Sequence, residues 1–240
     1  MAAEFRFKRF TVSNEFSAMK INTDGVLLGA VAGVLPSDRK VLDIGTGTGT
    51  VALMLAQRLS EIAEGFVIEG IDIDGASASE AAANFASSPW KESLRCLHLP
   101  LQEFQTDTAY DLIVSNPPYF DSSLTNPDER VSISRHNLTL SYTDIIVFAS
   151  THLAPGGRLA LIMPSDIECQ MLREGKSRGL FASETLHIRT TERKAISRTI
   201  ATFSASGPGT VPVSSELVIR KDGEYTREYC RLVRDFYLYL

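Results

Sequence analysis

The residues best equipped for chemistry stand in two short segments, each placed directly after an apolar run. Asn116-Pro117-Pro118-Tyr119 follows Tyr110-Asp111-Leu112-Ile113-Val114. Consecutive prolines fix the backbone and donate no N–H, so their carbonyls stay available as acceptors, and the residue before each is held extended. The Asn116 amide oxygen and the Pro117 carbonyl suit the two hydrogens of a planar amino group, and Tyr119 offers a stacking face. A nitrogen of that kind is a poor nucleophile because its lone pair is delocalised. Positioning and polarisation are then the catalytic terms, and no strong base is needed if the proton leaves after the new bond forms. The second segment is Asp43-Ile44-Gly45-Thr46-Gly47-Thr48-Gly49-Thr50, whose glycines let the backbone turn sharply against a ligand. Thr50 stands where a dinucleotide fingerprint needs a glycine, and no Lys-Ser/Thr pair follows as in a phosphate loop. A nucleotide-like ligand without pyrophosphate suits this loop. Asp72 ends the next apolar run, where a carboxylate accepts both hydroxyls of a ribose.

These segments need elements to hold them. Apolar runs predict strands over 40–44, 66–72, 94–99, 110–114, 158–163, 186–189, 199–205 and 217–220. Helical spacing predicts helices over 26–34, 51–59, 76–87, 141–153 and 166–180, the first capped within Asn22-Thr23-Asp24 and the fourth by Thr143. Strands alternating with helices argue for an α/β fold with a doubly wound, mainly parallel sheet, and such sheets bind ligands beyond the carboxyl ends of their strands. Both chemical segments follow strand ends.

Composition agrees with a soluble globular chain: of 240 residues, 44% are apolar and 22% charged. The expected organisation is one domain over 1–240, with 1–38 an N-terminal extension covering the cofactor and substrate side. No apolar run approaches the roughly 20 residues that span a bilayer, and Met1 to Phe10 lacks the apolar stretch of a signal peptide. The net charge of −5 is unevenly spread: residues 41–120 hold 3 basic and 11 acidic side chains, whereas 121–240 hold 15 and 14. A local basic surface is therefore compatible with the acidic total. Cys96, Cys169 and Cys230 have no metal-ligand spacing and read as reduced thiols, at least two of them buried; no metal site is expected. His98 and His187 alternate with apolar neighbours and read as packing residues, and Trp90 as packing beside the second helix.

The glycine loop resembles the D-x-G-x-G-x-G motif of class I methyltransferases, which implies S-adenosylmethionine as cofactor and a seven-stranded sheet. By that resemblance Asp43 faces the methionine end of the cofactor, Gly45 and Gly47 line it, and Asp72 holds its ribose beside Ile73. Pro100 stands where the family usually places an Asp near the adenine, which leaves adenine recognition to backbone groups and Leu101. Asn116 to Tyr119 resembles the [N/D/S]-P-P-[Y/F/W] signature of enzymes that methylate adenine N6, cytosine N4, guanine N2 or a glutamine amide.

The flanks narrow this set. Phe7-Lys8-Arg9-Phe10-Thr11-Val12, the stretch from Ala18 to Ala30, Tyr225 to Tyr229 and Asp235 to Leu238 resemble the tRNA1(Val) adenine-37 N6-methyltransferase family, over nearly the whole chain. The match of Met19-Lys20 and Thr23-Asp24-Gly25 implies that Lys20 and Thr23 edge the cofactor site. The resemblance implies a cytoplasmic enzyme acting on tRNA, a monomer or weak homodimer, with no membrane partner. Candidate RNA contacts are Lys8, Arg9, Arg130, Arg135, His136, Arg193, Lys194 and Arg198. Two alternatives stay open: a release-factor glutamine methyltransferase, and a cofactor- or RNA-binding module without catalysis.

Overall fold

Runs of Val, Leu and Ile without polar alternation predict strands covered on both faces. They fold that way in the computed structural model, which describes residues 4–17, 19–118, 140–207 and 211–239. A hairpin of β1 (Glu4–Arg6) and β2 (Thr11–Ser13) precedes helix α1 (Thr23–Val31). Then come β3 (Lys40–Ile44), α2 (Thr50–Leu59), β4 (Val67–Asp72), α3 (Gly75–Ala86) and β5 (Leu94–His98). The chain continues through β6 (Tyr110–Ser115), α4 (Tyr142–His152), β7 (Leu153–Pro164), α5 (Glu168–Ser177) and β8 (Phe181–Thr191). It closes with β9 (Arg198–Ser204), β10 (Val213–Lys221), β11 (Glu224–Tyr225) and α6 (Arg227–Val233).

The central sheet has the order β5-β4-β3-β6-β7-β9-β8-β10-β11. Strands β5, β4, β3, β6 and β7 are parallel, and β9 runs antiparallel to both β7 and β8. The doubly wound, mainly parallel sheet expected from the sequence is therefore present. Its strand count differs. Beyond β8 the sheet is extended by β10, parallel to β8 from Val213 to Arg220, and by its short partner β11, giving nine strands among the described residues.

Period-two alternation sends successive apolar residues to opposite faces. Val41, Leu112, Val114, Ala160 and Ile162 meet Leu27, Leu53, Phe85 and Tyr229 from α1, α2, α3 and α6. Leu42, Ile113, Leu159 and Leu161 meet Ile145, Ile146 and Met171 from α4 and α5. The central strands β3, β6 and β7 are thus covered on both sides, whereas β5, β10 and β11 toward the sheet margins stay largely exposed.

Several local expectations are corrected. Ser141, not Thr143, caps α4: its hydroxyl accepts the Asp144 N–H at 3.1 Å while the Asp144 carboxylate accepts the Ser141 N–H at 3.2 Å. Helix α1 ends at Val31, ahead of Val34. None of the three cysteines is fully buried: Cys169 is exposed, and Cys96 and Cys230 are half-buried. His98 is exposed and bonds the Ile73 carbonyl at 3.1 Å, while His187 is half-buried against Glu168 at 2.9 Å. Trp90 is buried edge-on to Phe10, with ring centroids 5.9 Å apart. The hairpin β1–β2 and helix α6 were not foreseen. They join the two ends of the chain, where Phe7 bridges Tyr237 and stacks on Phe10 at 4.5 Å. No helix among the described residues is long and apolar enough to cross a membrane.

Candidate active site

The parallel strands end at one edge of the sheet, and the loops that follow four of them meet there. After Ile44 the chain turns through Gly45, Gly47 and Gly49, with φ of 70°, 57° and 79°. Side chains rarely adopt that conformation, so the alternating glycines are a backbone requirement. The Gly45 and Thr46 N–H groups donate to the Ile71 carbonyl at 2.9 and 3.0 Å, which folds the loop onto the end of β4. Thr46 seats over Gly70, where an added Cβ would stand 2.9 Å from the Thr46 hydroxyl. From that seat the hydroxyl donates to Asp43 Oδ2 at 2.7 Å.

Asp43 is only 1% exposed. Burial pushes its carboxyl up to about 7, against the opposing effect of the Thr46 hydroxyl and the Ala52 N–H, and the Asp72 charge adds to the rise. The structure places Asp43 beneath the glycine loop rather than on a cavity wall, where it ties Thr46 to the start of α2. Asp72 ends β4. Its Oδ2 accepts the Gly47 N–H at 2.8 Å and its Oδ1 the Asp74 N–H at 2.9 Å. Burial raises its pKa and these two N–H groups oppose the rise. Each oxygen keeps further acceptor capacity toward the space above it.

That space is a cavity of about 360 Å³, within the usual range for small-molecule sites. Ile44, Gly45 and Gly47 form one side, and Asp72 and Ile73 the next. Leu99, Pro100, Leu101 and Gln102 form a third, and Asn116 and Pro118 a fourth; Met19, Ile71, Asp74, Ser77 and Leu140 complete it. Pro100 opens a short 3₁₀ turn over Leu101–Glu103. The Gln102 amide donates to Asp144 Oδ2 at 3.1 Å, tying that turn to the cap of α4. The stretch around Pro100 is therefore a braced apolar wall.

Of the cofactor candidates, Gly45, Gly47, Asp72, Ile73, Leu101 and Asn116 share this cavity. Lys20 instead lines a second cavity of about 40 Å³ together with Met19, Asn22, Thr48 and Asn116. Its ammonium donates to the Glu15 carbonyl at 2.7 Å. Thr23 is the exposed first residue of α1, behind the Asn22 cap. Of the catalytic candidates, Asn116 and Pro118 line the larger cavity, and Pro117, between them in the chain, is buried. The opening of α1 reaches the same place: a Cβ on Gly25 would stand 3.5 Å from Asn116 Nδ2. Tyr119, Arg130, Arg135 and His136 lie outside the described residues.

The remaining basic candidates divide by sheet edge. Arg198 pairs with Pro164 at the carboxyl end of β7, so the turn from β8 to β9, with exposed Arg193 and Lys194, lies at the same edge as Asn116. The Arg198 guanidinium is bonded to Asp24 at 3.0 Å. Lys8 and Arg9 are at the opposite edge: Lys8 bonds the Arg234 carbonyl, and Arg9 pairs with Glu61 past the end of α2 at 2.6 Å and lies over Trp90.

Sequence reasoning missed Met19 as a cavity wall and missed Ser77, Glu80 and Asn84, which hold the segment before it. The one trace in the sequence is the spacing of the three, which does not say what they hold. These three polar residues recur at helical spacing in the alanine-rich α3, and all are buried.

Comparison with known proteins agrees with this geometry. Residues 8–176 match the methyltransferase small domain family. The chain is 38% identical over 236 residues to a tRNA1(Val) (adenine(37)-N6)-methyltransferase of Bacteroides thetaiotaomicron, covering 98% of each. It is 36% identical over 244 residues to the like-named protein of Photobacterium profundum, covering all of both. In fold it is similar to a predicted O-methyltransferase from Agrobacterium tumefaciens, with TM-score 0.64, 18% identity and coverage of 89% of this chain and 96% of that one. It is also similar to a glycopeptide N-methyltransferase solved with S-adenosylmethionine, with TM-score 0.56, 11% identity and coverage of 80% and 91%. From residues 8–176 outward to nearly its full length, the chain belongs to the methyltransferase small domain family and, within it, to the tRNA1(Val) (adenine(37)-N6)-methyltransferase family.

Proposed function

We propose that this chain transfers a methyl group from S-adenosylmethionine to N6 of adenine 37 in tRNA1(Val), the reaction for which its relatives are named. One observation carries the reading: Asn116 and Pro118 form a wall of the same cavity as the glycine loop, Asp72 and Leu101. The cofactor supplies a methyl group already activated for attack, so the protein's work is to place an electron pair in line with it.

The residues present fit such a ligand. Asp72 keeps acceptor capacity for ribose hydroxyls while Gly47 and Asp74 hold its carboxylate in place. Ile73, Leu99, Pro100 and Leu101 give apolar contact to the flat adenine faces, and the Gly45 and Gly47 backbone allows close approach. On the substrate side, the Asn116 amide oxygen and the Pro117 carbonyl each accept one hydrogen of the target amino group. This orients its lone pair and increases its electron density. Tyr119, next in the chain, stacks on the base. Asp43 acts from below by fixing Thr46 and hence the loop. Of the N-terminal stretch 1–38, the part around Met19 and Lys20 covers the cofactor side, while Lys8 and Arg9 lie at the other edge.

The target adenine lies in a tRNA loop, where splaying out a base costs less than extracting it from a duplex. Arg193 and Lys194 on the catalytic edge suit the phosphates of that loop, and Arg130, Arg135 and His136 follow the catalytic segment directly in the chain. Cytoplasmic location and a monomeric or weakly dimeric state accord with this role. Incubation with methyl-labelled S-adenosylmethionine and either total tRNA or release factor tests the reading. Label is expected in tRNA; label in release factor alone would overturn it.

A further inference from the structure

Residues 13–17 cross toward the cofactor side of the molecule as a strap, and one carboxylate holds it. Glu80 Oε1 accepts the Glu15 and Phe16 N–H groups at 2.7 and 3.0 Å and the Ser13 hydroxyl at 3.0 Å. Glu80 Oε2 accepts the Ser17 N–H at 2.8 Å. Three successive backbone N–H groups converging on one anion make a nest. Glu80 is 4% exposed on the face of α3, among alanines. Burial alone would raise its pKa, but the N–H groups of Phe16, Ser17 and Glu15 and the Ser13 hydroxyl hold the carboxyl below its usual range. The latch therefore stays ionised at neutral pH.

Asn84, one turn further along α3, completes the latch. Its oxygen accepts the Ser13 N–H at 2.7 Å, and its amide donates to the Ser13 carbonyl at 3.0 Å and to the Thr48 carbonyl of the glycine loop at 2.9 Å. The Ser17 hydroxyl shares a hydrogen bond with Ser77 at 2.9 Å and donates to the Met19 carbonyl at 3.0 Å. What the strap delivers is Met19, which lines both the larger cavity with Asp72 and the smaller one with Thr48 and Lys20. Met19 thus stands where the two cavities adjoin, beside Gly45, Gly47 and Asn116. A stable fold alone does not require a buried carboxylate between Ser77 and Asn84 on this helix, since burying one costs free energy unless it is well bonded.

We infer that Glu80 is a remote positioning residue for cofactor binding, which acts by holding the 13–17 strap so that Met19 walls the cofactor cavity. The inference rests on the S-adenosylmethionine reading of that cavity. Binding of S-adenosylhomocysteine, measured by calorimetry on the full chain, separates the two. No binding by the wild type would defeat the reading itself. Glu80→Gln keeps the shape of the side chain but turns one acceptor oxygen into a donor facing strap N–H groups. Met19→Ala leaves the latch intact and removes the wall. Each is expected to weaken binding on the order of tenfold, and the double variant no further than the weaker single one, because both changes act through one contact. In turnover, Glu80→Gln is expected to raise the cofactor KM while leaving kcat and the tRNA KM within about twofold. Binding by Glu80→Gln equal to wild type would overturn the inference, and so would effects that multiply in the double variant. If Glu80→Gln does not fold, Ser17→Ala, which cuts the strap's bridges to Ser77 and to the Met19 carbonyl, takes its place with the same expected and contrary results.

Discussion

At the scale of single residues, the site assigns different work to two polar groups that the sequence places close to glycine and proline. Asn116 sits on the cavity wall, and the part proposed for it is to bind the target amino group. Asn116→Ala is expected to keep S-adenosylhomocysteine affinity within about threefold and to lower kcat by about 10²–10³, the usual loss on removing one preorganised group of this kind. Calorimetry with single-turnover kinetics checks both. Equal loss of cofactor binding and rate would place Asn116 with the cofactor instead. Asp43 sits below the loop with its carboxyl raised to about 7 by burial. A carboxyl whose folded pKa exceeds its unfolded one binds a proton on folding. Its contribution to stability is therefore full below about 4 and is lost as pH rises through about 7. The wild type is expected to lose up to a few kcal/mol over that window relative to Asp43→Asn, which does not titrate. Urea unfolding of both at pH 4 to 8 reads this directly, and parallel pH profiles would contradict it.

At the scale of elements, the site depends on how closely a loop and a strand pack. Gly70 in β4 leaves room for Thr46, and Thr46 in turn holds Asp43. Gly70→Ala is expected to destabilise the protein by about 1–3 kcal/mol, as overpacking does, and to weaken S-adenosylhomocysteine binding with it. An unchanged urea midpoint would show that the loop has room to move. This scale also explains what was legible in the sequence. Strands β3, β4, β5 and β6 and the loops behind them are short-range features, because an apolar run ending in glycine, aspartate or Asn-Pro-Pro carries its meaning locally. The elements that escaped depend on distant partners. Strands β1 and β2 are three residues each and are fixed by Asn84 and by the Phe7–Tyr237 bridge. Strand β10 reads as an isolated short run around 217–220 until β8 pairs with it over most of its length. Helix α6 carries only Tyr229 and Val233 as buried anchors. Of the candidate site, Gly45, Gly47, Asp72, Ile73, Leu101 and Asn116 were recoverable from motif positions. Met19 and Glu80 were not, because their roles arise from a strap crossing onto α3.

At the scale of the whole molecule, the carboxyl edge of the sheet gathers the cofactor cavity, the catalytic segment and the β8–β9 turn, while the hairpin with Lys8 and Arg9 lies at the other edge. For a tRNA whose loop enters the catalytic edge, the exposed Arg193 and Lys194 are the proposed phosphate contacts. Arg193→Ala with Lys194→Ala is expected to raise the tRNA KM several-fold. It should also shallow the slope of log affinity against log salt by about one to two, since each lost phosphate contact removes roughly one released counterion. Lys8→Ala with Arg9→Ala is expected to change the slope less. Filter binding from 50 to 200 mM salt compares the two pairs, and the reverse order would move the RNA surface to the hairpin edge.

Asn116, Pro117 and the cavity beside them are proposed to direct methylation to one exocyclic amino group of one tRNA. The most direct test of that role is mapping of the methylated nucleoside after reaction of the wild-type chain with S-adenosylmethionine and a tRNA1(Val) transcript, alongside a transcript carrying guanine in place of adenine 37. N6-methyladenine is expected at position 37 of the first transcript and none in the second. Methylation that persists without adenine 37, or that appears on another base, would contradict that role.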